Sequence, residues 1–513
     1  GAFPIVGIGA SAGGLEAFTQ LLRTLPADTG MAFVLVQHLD PDHASALTQL
    51  LSRATSLPVQ EAANDSLIRP NHVYIIPPNT NLTVVRGYLK LQARRLTRGV
   101  HRSIDSFFES LAADQKERAI GIILSGTASD GTLGLEAIKA EGGITFAQDD
   151  SARYDSMPRS AIAAGCVDFV LNPDEIGKEL ARIARHPFVA GQPVAYPASP
   201  KSDRVFATAF GDDGTPRPRA ADGHAAHGRA GDSSFKKILI LLHGHSGVDF
   251  SLYKTATFER RIRRRMVLNK KNTLEEYTRI LRGNAKELDA LYTDVLISVT
   301  SFFRNPEAFE ILKQTVFPKL LGQQGDEPLR VWVLGCSTGQ EAYSLAMTFM
   351  ESAEKAPSMR KLQVFATDLN EALLDKARHG LYAKNLVQDI SPERLRRFFV
   401  AEEGGYRVIK PLREMIVFAR QNLIGDPPFS RMDLVSCRNL LIYLEPSLQQ
   451  KALPTFHYAL KPEGFLFLGA SESIGDFTDL FGPVDKKHKI YSRKVAATPA
   501  FQRPVKATRG DRL

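Results

Sequence analysis

The chain carries the pattern glycine, any residue, serine, any residue, glycine twice, as GASAG at 9–13 and GCSTG at 335–339, and the residues downstream of each copy suit different chemistry. After the first, an apolar run at 31–36 delivers Gln37 and His38, and another at 119–124 delivers SGTASDG with Asp130. A serine, a base and a carboxylate, each just past a strand, form the set that nucleophilic acyl chemistry needs. The serine is a weak nucleophile until a base removes its proton, and the carboxylate fixes the imidazole tautomer. Ser11 falls at a strand-to-helix turn, where glycines permit a sharp backbone and the helix N-terminus offers amides to an oxyanion. Alone, GxGxSxGG also suits a phosphate-binding loop; His38 and Asp130 favour a nucleophile, with His43 and His72 read as structural.

After the second copy no comparable histidine arrives. VWVLGCSTGQEAYSLAM reads as a strand, a glycine loop and a helix, and the next apolar strand, 362–366, ends in Thr367 and Asp368. An adenosine cofactor needs that layout, with close backbone approach at glycine and then a carboxylate for the ribose hydroxyls. Glu341 stands where the pyrophosphate of a dinucleotide would lie, and a carboxylate there suits a cationic ligand such as S-adenosylmethionine.

Periodicity supplies the scaffold for these loops. Residues 1–188 alternate apolar strand-like runs with helical segments, which predicts a doubly wound α/β domain on a parallel sheet. From 189 to 232 the pattern dissolves into a Gly, Pro, Ala, Asp and His-rich flexible linker, and 233–316 reads as a charged helical domain. A second alternating region, 317–495, reads as the cofactor domain, and 496–513 as a basic tail. Two domains or more are expected anyway, since 513 residues exceed one ordinary core. With 43% hydrophobic and 24% charged residues the chain is globular, and its longest apolar runs fall far short of the ~20 residues that cross a bilayer. The run at 3–8, broken by Gly7 and lacking a basic leader, reads as a buried strand and not a secretion signal. Cys166, Cys336 and Cys437 lie far apart in apolar contexts, which suits buried thiols, gives no metal spacing and points to the cytoplasm.

GIGASAGG, QHLDPDH, HVYIIPPNTNLTV, HRSIDSFFESLA and LSGTASDGTLGL resemble, over most of 4–188, the catalytic domain of the chemotaxis protein-glutamate methylesterases, the CheB family. The resemblance implies Ser11 as nucleophile, His38 as general base and Asp130 as orienting acid. Ala12 and Thr127 depart from the family's usual threonine and methionine beside the oxyanion. The family's receiver domain is not expected, as the chain opens on the first catalytic strand.

GVDFSLYKTATFERRIRRRM, SVTSFFRNPEAF, RVWVLGCSTGQEAYSLAM, FATDLNEALLDKARHGLY, FARQNL and DLVSCRNLLIYL resemble, over nearly all of 235–493, the chemotaxis receptor methyltransferases, the CheR family. That likeness implies a Rossmann-like fold with a small antiparallel subdomain. It also implies an S-adenosylmethionine site at Ser298, Thr300, Arg304, Gly335, Glu341, Asp368, Asn422 and Asn439, with Leu423 and Leu440 beside the adenine. Ser298 stands where many members have asparagine. Arg304 and Tyr443 are expected at the reacting centre, a structural ion pair and a core position being their plainer readings. A glutamate acceptor is already ionised at neutral pH, so methyl transfer needs alignment and no base.

Together these likenesses imply a two-activity enzyme that forms and hydrolyses glutamyl methyl esters on methyl-accepting receptors. The rivals are a fusion acting on small molecules, or a scaffold with one domain catalytically dead. The net charge of +9 is densest in FERRIRRRM, where Phe258, Ile262 and Met266 share one helical face. The arginines around it read either as a solvated face or as a docking surface, through Arg261, Arg264 and Arg265, for an acidic receptor helix. No aromatics interleave with them, which argues against nucleic acid. The turn AEEGG, between Val400 and Tyr406, is short and acidic for a segment that binds a receptor's C-terminal peptide in some family members.

Overall fold

The computed structural model describes residues 3–37, 47–93, 102–189, 229–325, 327–354, 360–388 and 390–496. The chain divides into two compact units, one of 1–247 with 255–295 and one of 248–254 with 296–513.

The first unit is built on a seven-stranded sheet of β1 (Ile5–Ala10), β2 (Ala32–Gln37), β3 (Val59–Glu61), β4 (Val73–Ile75), β5 (Ala119–Ile123), β6 (Ile144–Gln148) and β7 (Phe169–Leu171). The spatial order is β7-β6-β5-β1-β2-β4-β3 and every pairing is parallel. Such strands are buried on both faces, and β1 has a core on each: Val6 and Ile8 on one, Ile5 on the other. On the Ile5 side β1 presents Gly7 and Gly9, where a Cβ would come within 2.8 Å of Phe108 and 2.5 Å of Ile104. These glycines let the helix Ser103–Gln115 lie directly on the strand that leads to Ser11.

Beyond the helices that flank the sheet, this unit includes four later ones: Arg229–Ser246, Thr255–Leu268, Leu274–Leu281 and Ala285–Val295. The third opens with a capping box, Thr273 and Glu276 each bonding the other's backbone amide. Two expected boundaries shift. The helical layer ends at Val295 and not at 316, because Phe309, Leu312 and Val316 pack into the core of the second unit. The helix that begins at Arg229 takes the last residues of the expected linker. The rest of that linker, 190–228, and the tail 497–513 lie outside the described residues.

The second unit carries β8 (Leu329–Leu334), β9 (Leu362–Asp368), β10 (Ile416–Arg420), β11 (Met432–Cys437), β12 (Leu460–Leu468), β13 (Phe481–Asp485) and β14 (Ile490–Arg493). Their order is β10-β9-β8-β11-β12-β14-β13; the first five run parallel and β14 enters antiparallel to both neighbours. That is a Rossmann-like sheet. A separate antiparallel sheet of Leu381–Tyr382, Gly405–Val408 and Phe399–Glu402 forms the expected small subdomain. Glu402 pairs with Gly405, so Glu403 and Gly404 alone make the turn, and Gly404 takes the positive φ, 91°, that such a turn requires.

Candidate functional sites

In the first unit β1 ends at Ala10 and a helix starts at Gly14, with Gly13 at φ 77° turning the chain between them. The loop after β5 closes over this turn. Ser11 N donates to Ser125 O at 3.0 Å, and Ser125 Oγ donates to Ala12 O at 2.8 Å. A Cβ on Gly126 would lie 2.2 Å from Met157 Sδ and 3.1 Å from the Ser11 Cβ, so a side chain here would displace Met157 and crowd the serine. Gln37, at the end of β2, donates through Nε2 to Ser11 O at 3.3 Å. A cleft of about 830 Å³ opens here, lined by Ser11, Gly13, Glu16, Arg23, Gln37 and Arg153 among others.

Asp130 closes the same loop and is buried. Its two oxygens accept from Ile104 N at 3.0 Å and Asp105 N at 2.9 Å, the first amides of the Ser103–Gln115 helix. Asp105, on that helix, accepts from Gly134 N at 2.8 Å at the start of the Thr132–Ala140 helix. Burial, and then the charge of Asp130, push the Asp105 carboxyl up to about 7. His38 and His43 lie outside the described residues, while His72 bonds Pro70 O through Nδ1.

In the second unit the loop after β8 is curved by three positive φ angles, 62° at Gly335, 50° at Ser337 and 89° at Gly339. At Gly339 a Cβ would sit 2.9 Å from that of Ala377, so glycine is required for close packing there as well. Asp368, at the end of β9, accepts from Ser337 N at 2.8 Å and from Asn370 N at 2.9 Å. Burial raises its pKa despite these amides. A carboxylate has about four acceptor sites, so Asp368 can hold the loop and still take ribose hydroxyls.

Glu341 accepts from Ser436 Oγ at 2.7 Å and pairs with Arg438 at 3.4 Å. Arg438, its side chain 1% exposed, donates onward to Arg304 O at 2.6 Å and Asn305 Oδ1 at 3.1 Å, and packs against the rings of Phe309 and Phe467. One buried guanidinium thus ties Glu341 to the segment bearing Arg304, whose own Nη1 donates to Val299 O at 3.3 Å. Asn439 stands at φ 58°, and its amide with those of Leu440, Leu441 and Gly469 all donate to the Glu472 carboxylate. Leu440 packs 3.5 Å from where a Gly335 Cβ would be, and with Leu423 it joins the cluster around Trp332. Asn422 Oδ1 accepts from Ile424 N at 3.0 Å, the Tyr443 carbonyl accepts from Lys254 N at 2.9 Å, and the Ser298 carbonyl accepts from Ser337 Oγ at 2.8 Å. Thr300 is half-buried on the same stretch as Ser298.

These groups suit S-adenosylmethionine: a glycine-curved loop, a carboxylate ending the next strand, apolar walls and a second carboxylate. Sequence reasoning missed Arg438, beside Asn439 in DLVSCRNLLIYL, and Asp105, inside HRSIDSFFESLA, where those motifs were the available signal; it also missed Glu472, which no motif covers. Among the described residues no group of three or more His, Cys, Asp or Glu side chains is placed to hold a metal, and no helix is long and apolar enough to cross a membrane. All three cysteines are free and buried.

The arginine helix departs from expectation. Arg261 and Arg264 are each 3% exposed, turned against the sheet domain of their own unit. Arg261 Nη1 donates to Lys139 O at 2.7 Å, Nη2 bonds Ala140 O, and Arg264 Nε donates to Gly143 O at 2.9 Å. Burial alone would lower the Arg264 pKa, but Asp168 and Asp294, both in contact with its guanidinium, outweigh it and hold the pKa above the ordinary value. Arg265 is bound by Glu287, and Arg260 approaches Glu117 and Glu141 at 3.9 and 3.8 Å. The face is neither solvated nor open to an acidic partner.

Comparison with known families gives these sites their relatives. Residues 6–180 match the CheB methylesterase model, 233–296 the all-alpha domain of the CheR methyltransferases and 298–490 their S-adenosylmethionine-binding domain. An uncharacterised 104.1 kDa protein of Rhodobacter capsulatus is 39% identical over 448 residues, 87% of this chain and 46% of that protein, so the chain spans under half of that relative. The chemotaxis protein methyltransferase of Listeria monocytogenes is 35% identical over 228 residues, 44% of this chain and 85% of its own. The crystal structure of the Thermotoga maritima CheB methylesterase catalytic domain is 29% identical, with 36% of this chain and all of that one covered, at a TM-score of 0.34.

Proposed function

The chain belongs to the CheR chemotaxis methyltransferase family and carries a CheB methylesterase domain ahead of it, and on that basis we propose an enzyme that writes and erases methyl esters on receptor glutamates. The observation that carries this reading is the pair of Gly-x-Ser-x-Gly turns. One is held by Ser125 and Gly126 in an open cleft, the other by a buried carboxylate at the next strand end.

In the transfer direction S-adenosylmethionine, when bound, supplies an electrophilic methyl group. Asp368 and Asn439 hold the ribose and adenine end, and Glu341 faces the cationic end. Arg304 orients the glutamate carboxylate, an ionised nucleophile that needs no base. Tyr443 completes the wall on that side. Orientation of this kind lowers barriers by several kcal/mol through lost motion already given up on binding.

In the hydrolytic direction Ser11 Oγ attacks the ester carbonyl as its proton passes to His38, and that proton leaves with the methoxide as methanol. Water then attacks the acyl-enzyme, His38 again taking and returning a proton, and glutamate and Ser11 are released. Asp130 fixes the histidine. Ser11 N and Gly126 N already donate to Ser125 O and Tyr154 O, so the oxyanion is left to other amides, that of Ala12 at the helix start and that of Thr127 in the facing loop.

The partners are methyl-accepting receptors met in the cytoplasm. One purified chain given a single receptor should incorporate methyl from labelled cofactor and release methanol from methylated receptor. A chain with neither activity would remove this reading, and turnover confined to small esters would favour the small-molecule rival.

A further inference from the structure

Arg264 lies between two carboxylates on different domains, with Lys139 3.7 Å from the first, Asp168, and Arg265 3.8 Å from the second, Asp294. Asp168 stands before β7 of the sheet domain, and Asp294 on the last helix of the helical layer. The three side chains are 1%, 4% and 8% exposed. The buried Arg264 charge tolerates such a site only while the two carboxylates stay in place, since a buried cation left without them is costly. Arg261 beside it closes the C-terminal carbonyls of the Thr132–Ala140 helix, where a cation also meets the negative end of the helix dipole.

The seam is apolar as well as charged. Val267, from the arginine helix, is 3% exposed inside the core cluster that holds Phe33 and Ile176 of the sheet domain. His186 bonds Lys271 O at 3.0 Å. Gly143 and Asp168 precede strands whose far ends carry the Ser11 side of the sheet, so the seam lies a strand length, roughly 15 Å, from the esterase cleft and leaves it open.

We propose that the Thr255–Leu268 helix is an intramolecular docking surface whose occupant is the methylesterase domain, so that an acidic receptor segment meets this face only when the two domains part. The receptor clause rests on the function proposed above; the docking clause does not. The test uses the full chain with Arg264→Met and, separately, Arg261→Ala, followed by hydrogen exchange of residues 139–145 and 257–267. Each variant should speed exchange in both segments together by about tenfold or more, the change that 1.4 kcal/mol of lost docking free energy gives. Ester hydrolysis should persist, and the Michaelis constant for receptor should not rise. Should Arg264→Met fail to fold, Arg261→Ala, which removes the bonds to two helix-end carbonyls, still reads the seam. Exchange at 139–145 that stays at the parent rate in Arg261→Ala overturns the docking clause. A receptor Michaelis constant raised tenfold with exchange unchanged overturns the whole proposal and gives the face to the receptor. A parent chain inactive in both directions would instead sink the function, and exchange would still report on the seam.

Discussion

Asp130 and Asp105 cap each other's helices: Asp130 accepts the amide of Asp105 at 2.9 Å, and Asp105 accepts Gly134 N, three residues past the glycine-turned end of the Asp130 loop. Two buried carboxylates are therefore set side by side under the candidate esterase site. Asp105 takes the cost, its carboxyl raised by burial and by Asp130 from an ordinary 3.8 to about 7.

The pH dependence comes from the sign of that shift. The folded chain holds a proton on Asp105 that the unfolded chain releases near pH 3.8, so this contribution to stability is fully present below that pH and is lost as pH rises through about 7. Asp105→Asn keeps the shape and cannot ionise. Between pH 5 and 8 its unfolding midpoint should fall less than the parent's, the difference scaling as about 1.4 kcal/mol per pKa unit. Parallel midpoints in a thermal scan would show that Asp105 does not titrate in that window.

Ser11→Ala should abolish methanol release and leave methyl incorporation intact. The seam through Arg264 leaves this conclusion standing, because it lies at the opposite end of the strands from Ser11. Loss of a nucleophile costs several orders of magnitude in turnover. Loss of methyl incorporation in a folded variant would mean the sites are coupled.

Much of this arrangement could be read from the sequence where a local pattern carries it. The apolar runs at β1 and β8, the glycine turns after them and the carboxylate ending β9 all declare themselves within a few residues. What escaped depends on residues far apart in the chain. Phe258, Ile262 and Met266 correctly mark one buried face of the arginine helix, yet nothing local says that Arg264 meets Asp168, 96 residues upstream. Glu472 escaped for the same reason, its use lying in amides 31 to 33 residues earlier. Gly7 and Gly9 read locally as part of the loop pattern but are spacers for Phe108 and Ile104.

Asp368→Ala should weaken S-adenosylmethionine binding by more than the ~1.5–3 kcal/mol of one charge-assisted hydrogen bond, since Ser337 N and Asn370 N also lose their acceptor. Asp368→Asn, which keeps one acceptor, should lose less. Calorimetry on the full chain decides, and equal affinity in parent and alanine variant would remove Asp368 from the site.

Glu472 is expected to act as a positioning residue. Four backbone amides converge on it, three of them from the turn that bears Asn439 and Leu440 and leads to Tyr443. Glu472→Gln places an amide group among these donors and should leave at least one unsatisfied, at about 1–3 kcal/mol. Cofactor affinity should fall tenfold or more while the chain stays folded. Unfolding without any measurable binding defect in the surviving fraction would make the role purely structural.

The turn at Glu403 and Gly404 gives the last expectation. It is as short as a hairpin turn can be, and Glu402 beside it is bound through both oxygens by Arg407 Nε at 2.8 Å, which also ties the strand to His379 O through Nη1 at 2.7 Å. The arginine that could have met a peptide's terminal carboxylate is thus engaged inside the subdomain, and Glu403 adds a like charge at the tip. A tethering C-terminal peptide should therefore bind poorly here, and methylation should not depend on one. Removing the last residues of a cognate receptor should leave the initial rate unchanged. A tenfold drop, about 1.4 kcal/mol of lost binding, would show that the peptide is held after all and that Arg407 exchanges Glu402 for it.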